Sequence, residues 1–247
     1  RSNIKIVEEQ ILLANQDNVI YSINIKNGNK NWQFATRVTF LKSNFKNNFL
    51  VDDINKNLYF LNTSGEFYSI NYFTQKINWM INFKSSSTAG NSDLFLSKPI
   101  IKKNDTLIIT TSKSILNFDS NGKRNWSFDS SVLLKPVMTN NYTYILSDKE
   151  LLICLENKTG KVLWSRYFDK SLNKGTKKKI GSFIDLKIVN NKINLYTVNG
   201  FLLSFDYSNG NFTGLKKISK NGISSEIVFL KNNLFLIDRK NKLLKIE

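Results

Sequence analysis

The sequence contains no histidine, one cysteine, two prolines and two methionines in 247 residues. Without histidine there is no imidazole for acid–base chemistry, no Ser-His or Cys-His nucleophile pair, and no histidine metal ligand. One thiol can build neither an internal disulfide framework nor a cysteine-based zinc site. Cys154 lies in the apolar run Leu151-Leu152-Ile153-Cys154-Leu155, where it reads as a small buried hydrophobe. No run of eighteen apolar residues occurs, so no segment reads as a transmembrane helix. Arg1 leads straight into strand-like sequence. An exported protein would therefore carry its targeting segment upstream of it.

Acidic residues are scarce. Nineteen Asp and Glu face 36 Lys and Arg, for a net charge of +17. One reading is a partner that carries phosphate, either nucleic acid or an anionic membrane. The other is composition: the chain is rich in Lys, Asn, Ile and Phe, the bias of an AT-rich genome. The cations scatter along turns and strands, apart from Lys177-Lys178-Lys179, and this diffuseness favours composition.

A repeat organises what is present. Trp32, Trp79, Trp126 and Trp164 each end a similar phrase: Asn27-Gly28-Asn29-Lys30-Asn31-Trp32, Thr74-Gln75-Lys76-Ile77-Asn78-Trp79, Asn121-Gly122-Lys123-Arg124-Asn125-Trp126 and Thr159-Gly160-Lys161-Val162-Leu163-Trp164. A weaker fifth copy, Ser208-Asn209-Gly210-Asn211-Phe212, has Gly214 where Trp would stand. The Trp-to-Trp steps are 47, 47 and 38 residues, in the range of a propeller blade. Asn-Gly or Thr-Gly between apolar runs supplies the positive φ of a tight hairpin turn. The indole that follows falls early in an outer strand, where its large surface suits packing between neighbouring blades.

Three short strand-like runs precede each phrase, rich in β-branched and aromatic residues and separated by Asn, Asp, Gly and Lys. The units read as Asn3–Val7, Gln10–Gln16, Val19–Ile25 and Asn31–Thr36; then Asn48–Asp52, Asn57–Asn62, Glu66–Phe73 and Ile77–Phe83. The third is Ser97–Lys102, Thr106–Thr111, Ser114–Asp119 and Arg124–Asp129; the fourth Val132–Met138, Tyr142–Ser147, Leu151–Glu156 and Val162–Phe168. The fifth is Phe183–Val189, Ile193–Val198, Phe201–Tyr207 and Phe212–Ile218; the sixth stops after Ser225–Leu230, Leu234–Arg239 and Leu243–Ile246. No helical period is evident. The expectation is an all-β chain, a β-propeller of about six four-stranded blades forming one domain over 1–247, or part of a larger ring.

The Thr-Gly-Lys-x-x-Trp phrase at Thr159–Trp164, its near copy at Asn121–Trp126, and the Pro-Ile and Pro-Val openings at Pro99 and Pro136 resemble the PQQ-like repeat of quinoprotein dehydrogenase-like propellers. Within that group the chain is most similar to the BamB family, lipoproteins of the outer-membrane β-barrel assembly machinery. That family has eight blades and a lipid-bearing N-terminal cysteine. Six blades and no such cysteine are visible here, as a missing N-terminal portion would give. The resemblance implies a non-catalytic, monomeric subunit of a complex on the periplasmic side of the outer membrane. It would bind a BamA-like partner and unfolded β-rich clients, with no cofactor. It would place the partner contact near Asp93 or Phe40-Leu41-Lys42.

The residues supply little for other chemistries. True quinoproteins use acidic residues and an adjacent cysteine pair to hold Ca²⁺ and PQQ, and here there is one cysteine. Asp52-Asp53 would point to opposite faces of a strand, so joint chelation is disfavoured and a solvated strand end is expected. Gly28, Gly122, Gly160 and Gly210 are turn glycines, not a phosphate cradle.

Binding should then live in loops, and two are long: Lys84–Leu96 and Asp169–Ser182. The first brings Asp93, Leu94 and Phe95 together, either as an exposed apolar contact beside a carboxylate or as the start of the next inner strand. The second carries Lys170, Lys174, Lys177, Lys178 and Lys179. It could meet lipid phosphates at an anionic membrane or an acidic partner, or be a solvated loop. No aromatic is interleaved to stack on bases, which disfavours nucleic acid.

Overall fold

The computed structural model describes residues 4–38, 48–84, 94–167, 172, 174–230 and 233–246. The chain forms two compact units, Arg1–Asp129 and Ser130–Glu247. The first unit holds three antiparallel four-stranded sheets in sequence order. They are β1 (Lys5–Val7), β2 (Gln10–Ala14), β3 (Val19–Asn24) and β4 (Lys30–Ala35); β5 (Asn48–Asp52), β6 (Asn57–Leu61), β7 (Glu66–Asn71) and β8 (Lys76–Asn82); and β9 (Ile101–Lys103), β10 (Thr106–Thr110), β11 (Ile115–Asp119) and β12 (Arg124–Phe128).

The second unit continues the plan. Its sheets are β13 (Val137–Met138), β14 (Tyr142–Leu146), β15 (Leu151–Glu156) and β16 (Val162–Tyr167); β17 (Phe183–Val189), β18 (Lys192–Thr197), β19 (Phe201–Asp206) and β20 (Phe212–Lys217); and the three-stranded β21 (Val228–Leu230), β22 (Asn233–Ile237) and β23 (Leu243–Ile246). Each sheet is a blade of a β-propeller, the fold that the repeat implies.

Burial follows from a period of two in strands that are covered on both faces. In β6 every residue from Leu58 to Leu61 is at most 3% exposed. Leu58 and Phe60 join Val7, Leu12 and Ile20 of the first blade. Tyr59 and Leu61 join Leu107, Ile109 and Phe118 of the third. In the second unit, β18 divides the same way: Ile193 and Leu195 meet Tyr144, Leu152 and Cys154 of the fourth blade, while Tyr196 meets Ile227, Leu234 and Leu236 of the sixth. A fully buried side chain of this kind contributes about 1.5–3 kcal/mol. These strands therefore read as continuous apolar runs.

The Trp phrase builds one local device five times. The pairing of third and fourth strands slips by one residue at Ser22/Ile23, Ser69/Ile70, Asn117/Phe118, Cys154/Leu155 and Ser204/Phe205. The extra residue is the one before the Trp position, a β-bulge that sharpens the strand's twist. In three blades it is asparagine, and its amide satisfies a buried polar group opposite. Asn31 donates to Ser22 Oγ at 3.1 Å, Asn78 to Ser69 Oγ at 3.2 Å and Asn125 to Asn117 Oδ1 at 2.9 Å. In the fourth blade the same two places hold Leu163 and Cys154. A polar pair has been exchanged for an apolar one.

The indoles cross from blade to blade within each unit. Trp79 donates its Nε1–H to the carbonyl of Ser120 at 2.9 Å and lies over Gly122 of the following blade. Trp164 lies over Gly210 in the same way. The turn glycines hold φ of +84° at Gly122 and +72° at Gly210, and Gln75, where the second phrase lacks glycine, is held at +61°.

The structure departs from the sequence expectation at three inner strands and in one added helix. β9, β13 and β21 are shorter than the runs Ser97–Lys102, Val132–Met138 and Ser225–Leu230. Pro99 and Pro136 precede the first two, and proline has no N–H to give a ladder. A helix, α1 (Lys174–Ile180), lies between β16 and β17 where only loop is expected. Among the described residues no helix is long and apolar enough to cross a membrane.

Candidate functional site

Phe40, Leu41, Lys42 and Asp93 lie outside the described residues. Leu94 and Phe95 are described, and Phe95 turns inward. Its N–H donates to Thr63 O at 2.9 Å, and its ring stacks on Phe83 with centroids 5.6 Å apart. Phe83 stacks in turn on Phe67 at 6.1 Å. The ring also covers Gly65. Phe95 is thus half-buried, its backbone held before β9 begins and its ring packed against the core of the second and third blades. Leu96, the next apolar residue, is the exposed one, at 47%.

Asp52 and Asp53 part company, as expected, but Asp52 is not a solvated strand end. It is buried and bridges to Lys102 of the next blade at 3.0 Å. Burial pushes its pKa up, and the hydrogen bonds from Asn55 and Lys102 outweigh that and hold it below the usual carboxylate value. Asp53 lies in the turn and accepts from Tyr72 Oη at 2.7 Å and Lys56 Nζ at 3.1 Å. Burial pushes the Cys154 thiol up to about 11, against a smaller opposing effect of its hydrogen bond with Tyr144. Among the described residues no three His, Cys, Asp or Glu side chains gather as a metal site would need.

Lys174 opens α1, and Lys177, Lys178 and Lys179 fill its last turn, where cations complement the helix dipole. Ile180 and Leu172 anchor the segment in the apolar core of the fourth and fifth blades. Gly181, at φ +73°, ends the helix, and Asn199 Nδ2 donates to the carbonyl of Lys179 at 2.9 Å. Lys179 lines a concavity of the second unit.

That concavity has a volume of about 450 Å³ and is lined by Lys179, Asn199, Phe201, Lys217, Lys220, Asn221, Gly222 and Arg239. Lys217, Lys220 and Arg239 lie 38, 41 and 60 residues beyond Lys179. No spacing rule links them. They meet because the β18–β19 turn packs on the loop after β20, with Ile223 N–H donating to Val198 O at 3.0 Å.

A second surface recurs at blade edges. β8 and β16 are the fourth strands of their sheets and, among the described residues, pair on one side only. Ile77 and Met80 on β8 are 48% and 49% exposed, and Val162, Leu163 and Tyr167 on β16 are also exposed. Each edge thus offers unpaired backbone groups beside apolar side chains.

Comparison with known proteins places these features in context. The model of a family described as outer membrane protein assembly factor BamB matches residues 2–166 and 112–213. The crystal structure of BamB from Moraxella catarrhalis superposes with a TM-score of 0.72 at 13% identity, over 98% of this chain and 67% of that one. A quinohemoprotein alcohol dehydrogenase, ADHIIG of Pseudomonas putida HK5, gives 0.62 at 12% identity, over 88% of this chain and 42% of that one. KlHsv2 with its loop 6CD replaced by a Gly-Ser linker gives 0.63 at 6% identity, over 98% and 75%. At such identities the structural likeness shows the fold alone. No curated protein matches the sequence.

Proposed function

This chain belongs to the family of the outer membrane protein assembly factor BamB, and from that premise we propose that it is a non-catalytic scaffold which presents blade edges and loops to protein partners in outer-membrane protein assembly. The observation that carries this reading is the pair of open edges at β8 and β16, each with exposed apolar side chains. An extended β-rich client can add to such an edge through main-chain hydrogen bonds, with side-chain contacts giving selectivity. The reading puts 1–247 to work as one propeller domain, a monomeric subunit at the periplasmic face of the outer membrane beside a BamA-like component. Leu94 and the basic residues of α1 remain candidate contacts in it.

A quinoprotein-type oxidation is the competing reading, since quinohemoprotein dehydrogenases share the fold. The residues favour the scaffold. There is no histidine for proton transfer, and the lone thiol is buried with a raised pKa. Affinity capture from native envelope tests the proposal: recovery of an outer-membrane assembly component supports it, and its consistent absence counts against it. Titration with PQQ and Ca²⁺ that produced dye-linked alcohol oxidation would establish the competing reading instead.

A further inference from the structure

The basic concavity of the second unit shares only Lys179 with the scaffold reading. Its lining holds four cations, Lys179, Lys217, Lys220 and Arg239, and no carboxylate. The adjacent acid, Asp238, is buried and fully engaged. It accepts from Asn221 Nδ2 at 2.7 Å and from the backbone N–H groups of Lys240 and Lys242 at 2.8 and 2.9 Å. Among the described residues none of the four cations forms an ion pair.

The cations come from separate elements, and the fold holds them there. Lys217 Nζ lies 4.3 Å over the ring of the buried Phe201 and donates to Asn199 O at 2.5 Å. An ammonium has three N–H donors, so two remain for a ligand. Asn199 also ties down the end of α1, which carries Lys179. Arg239 lies along Gly222, where a Cβ would come within 3.2 Å of its Cδ and 2.5 Å of Val198 O. Glycine at 222 thus lets the Arg239 stem and the β18–β19 turn approach together. Gathering four like charges without a counter-charge is unfavourable unless an anion relieves it.

We propose that this concavity binds a phosphate group. A phosphate carries the charge and the several acceptor oxygens that a guanidinium fork and convergent ammoniums match. The volume of about 450 Å³ falls within the roughly 300–1,000 Å³ of small-molecule sites, leaving room for a body attached to the phosphate. A soluble phosphate ester and a lipid headgroup share this chemistry. The inference stands apart from the scaffold proposal and does not depend on it.

The test is calorimetric titration of the full chain with glycerol 3-phosphate, alongside sedimentation with phosphatidylglycerol and phosphatidylcholine vesicles. The variant K220Q/R239Q is compared with K123Q/K161Q, which removes equal charge from exposed turns. Binding of glycerol 3-phosphate that weakens at least tenfold in K220Q/R239Q, and less than twofold in K123Q/K161Q, supports the site and a soluble ligand. The same dependence seen only with phosphatidylglycerol vesicles supports it with a lipid headgroup. Binding to neither, or equal loss in both variants, overturns it and leaves only the diffuse net charge. If K220Q/R239Q lowers the melting temperature, K179Q/K220Q, which leaves Arg239 on Gly222, takes its place under the same criteria.

Discussion

The indole of Trp79 lies so close over Gly122 that a Cβ on the glycine would sit 2.8 Å from the ring. Gly122 therefore meets two demands, a positive φ and the flat approach of the neighbouring blade's tryptophan. Gly28 meets only the first: its φ is +73°, and nothing lies within 4 Å of where a Cβ would stand. G28A should cost only the left-handed strain, about 1–2 kcal/mol. G122A should cost more, by roughly 1–3 kcal/mol from overpacking. Urea denaturation of the two variants measures the difference, and equal losses would refute indole docking as the reason for glycine at 122.

The bulge device predicts a rescue. N78L removes the amide donor to the buried Ser69 hydroxyl and should destabilise by about 1–3 kcal/mol. S69C/N78L copies the Cys154 and Leu163 arrangement of the fourth blade into the second, and should recover most of that loss. A double variant no more stable than N78L would show that the two places are not coupled.

Asp52 and Lys102 tie the second blade to the third in a largely buried ion pair. Because the folded pKa of Asp52 is depressed below its ordinary 3.8, the pair's stabilisation is present above about pH 4–5 and is lost as pH falls through the depressed value. Denaturation at pH 7 and pH 3 should show a smaller acid loss for D52N than for the natural chain. K102M strands the carboxylate and should cost about 3 kcal/mol at pH 7. Identical acid sensitivity in D52N and the natural chain would contradict this.

Burial with a raised pKa should leave Cys154 inert. In native buffer at pH 8 a disulfide-exchange reagent should label it no faster than the protein unfolds, and fully in denaturant. Labelling at the rate of a free thiol would show that the fourth blade opens locally.

The blades were legible because their signals are local. Turn glycines, the Trp phrase and β-branched runs lie within ten residues of what they specify, so strand β5 and strands β15 and β17 match the sequence reading at both ends. Helix α1 was not, because Ile180 is its one large apolar residue and a single position sets no period. The inward turn of Phe95 depends on Thr63, Gly65 and Phe83, all distant in sequence. The cations of the concavity were hidden for the same reason: Lys179 was visible in a lysine run, whereas Lys217, Lys220 and Arg239 looked like scattered charge until packing joined them.

The scaffold reading is tested most directly by photo-crosslinking from its open edges. A photoreactive residue placed at Met80 on β8 or Leu163 on β16 should form adducts with an outer-membrane assembly component or its β-rich clients in native envelope. The same residue at Ile54, which is 92% exposed but in a turn, should not. Adducts equal at all three positions, or absent from both strands, would contradict the claim that blade edges are where this chain meets its partners.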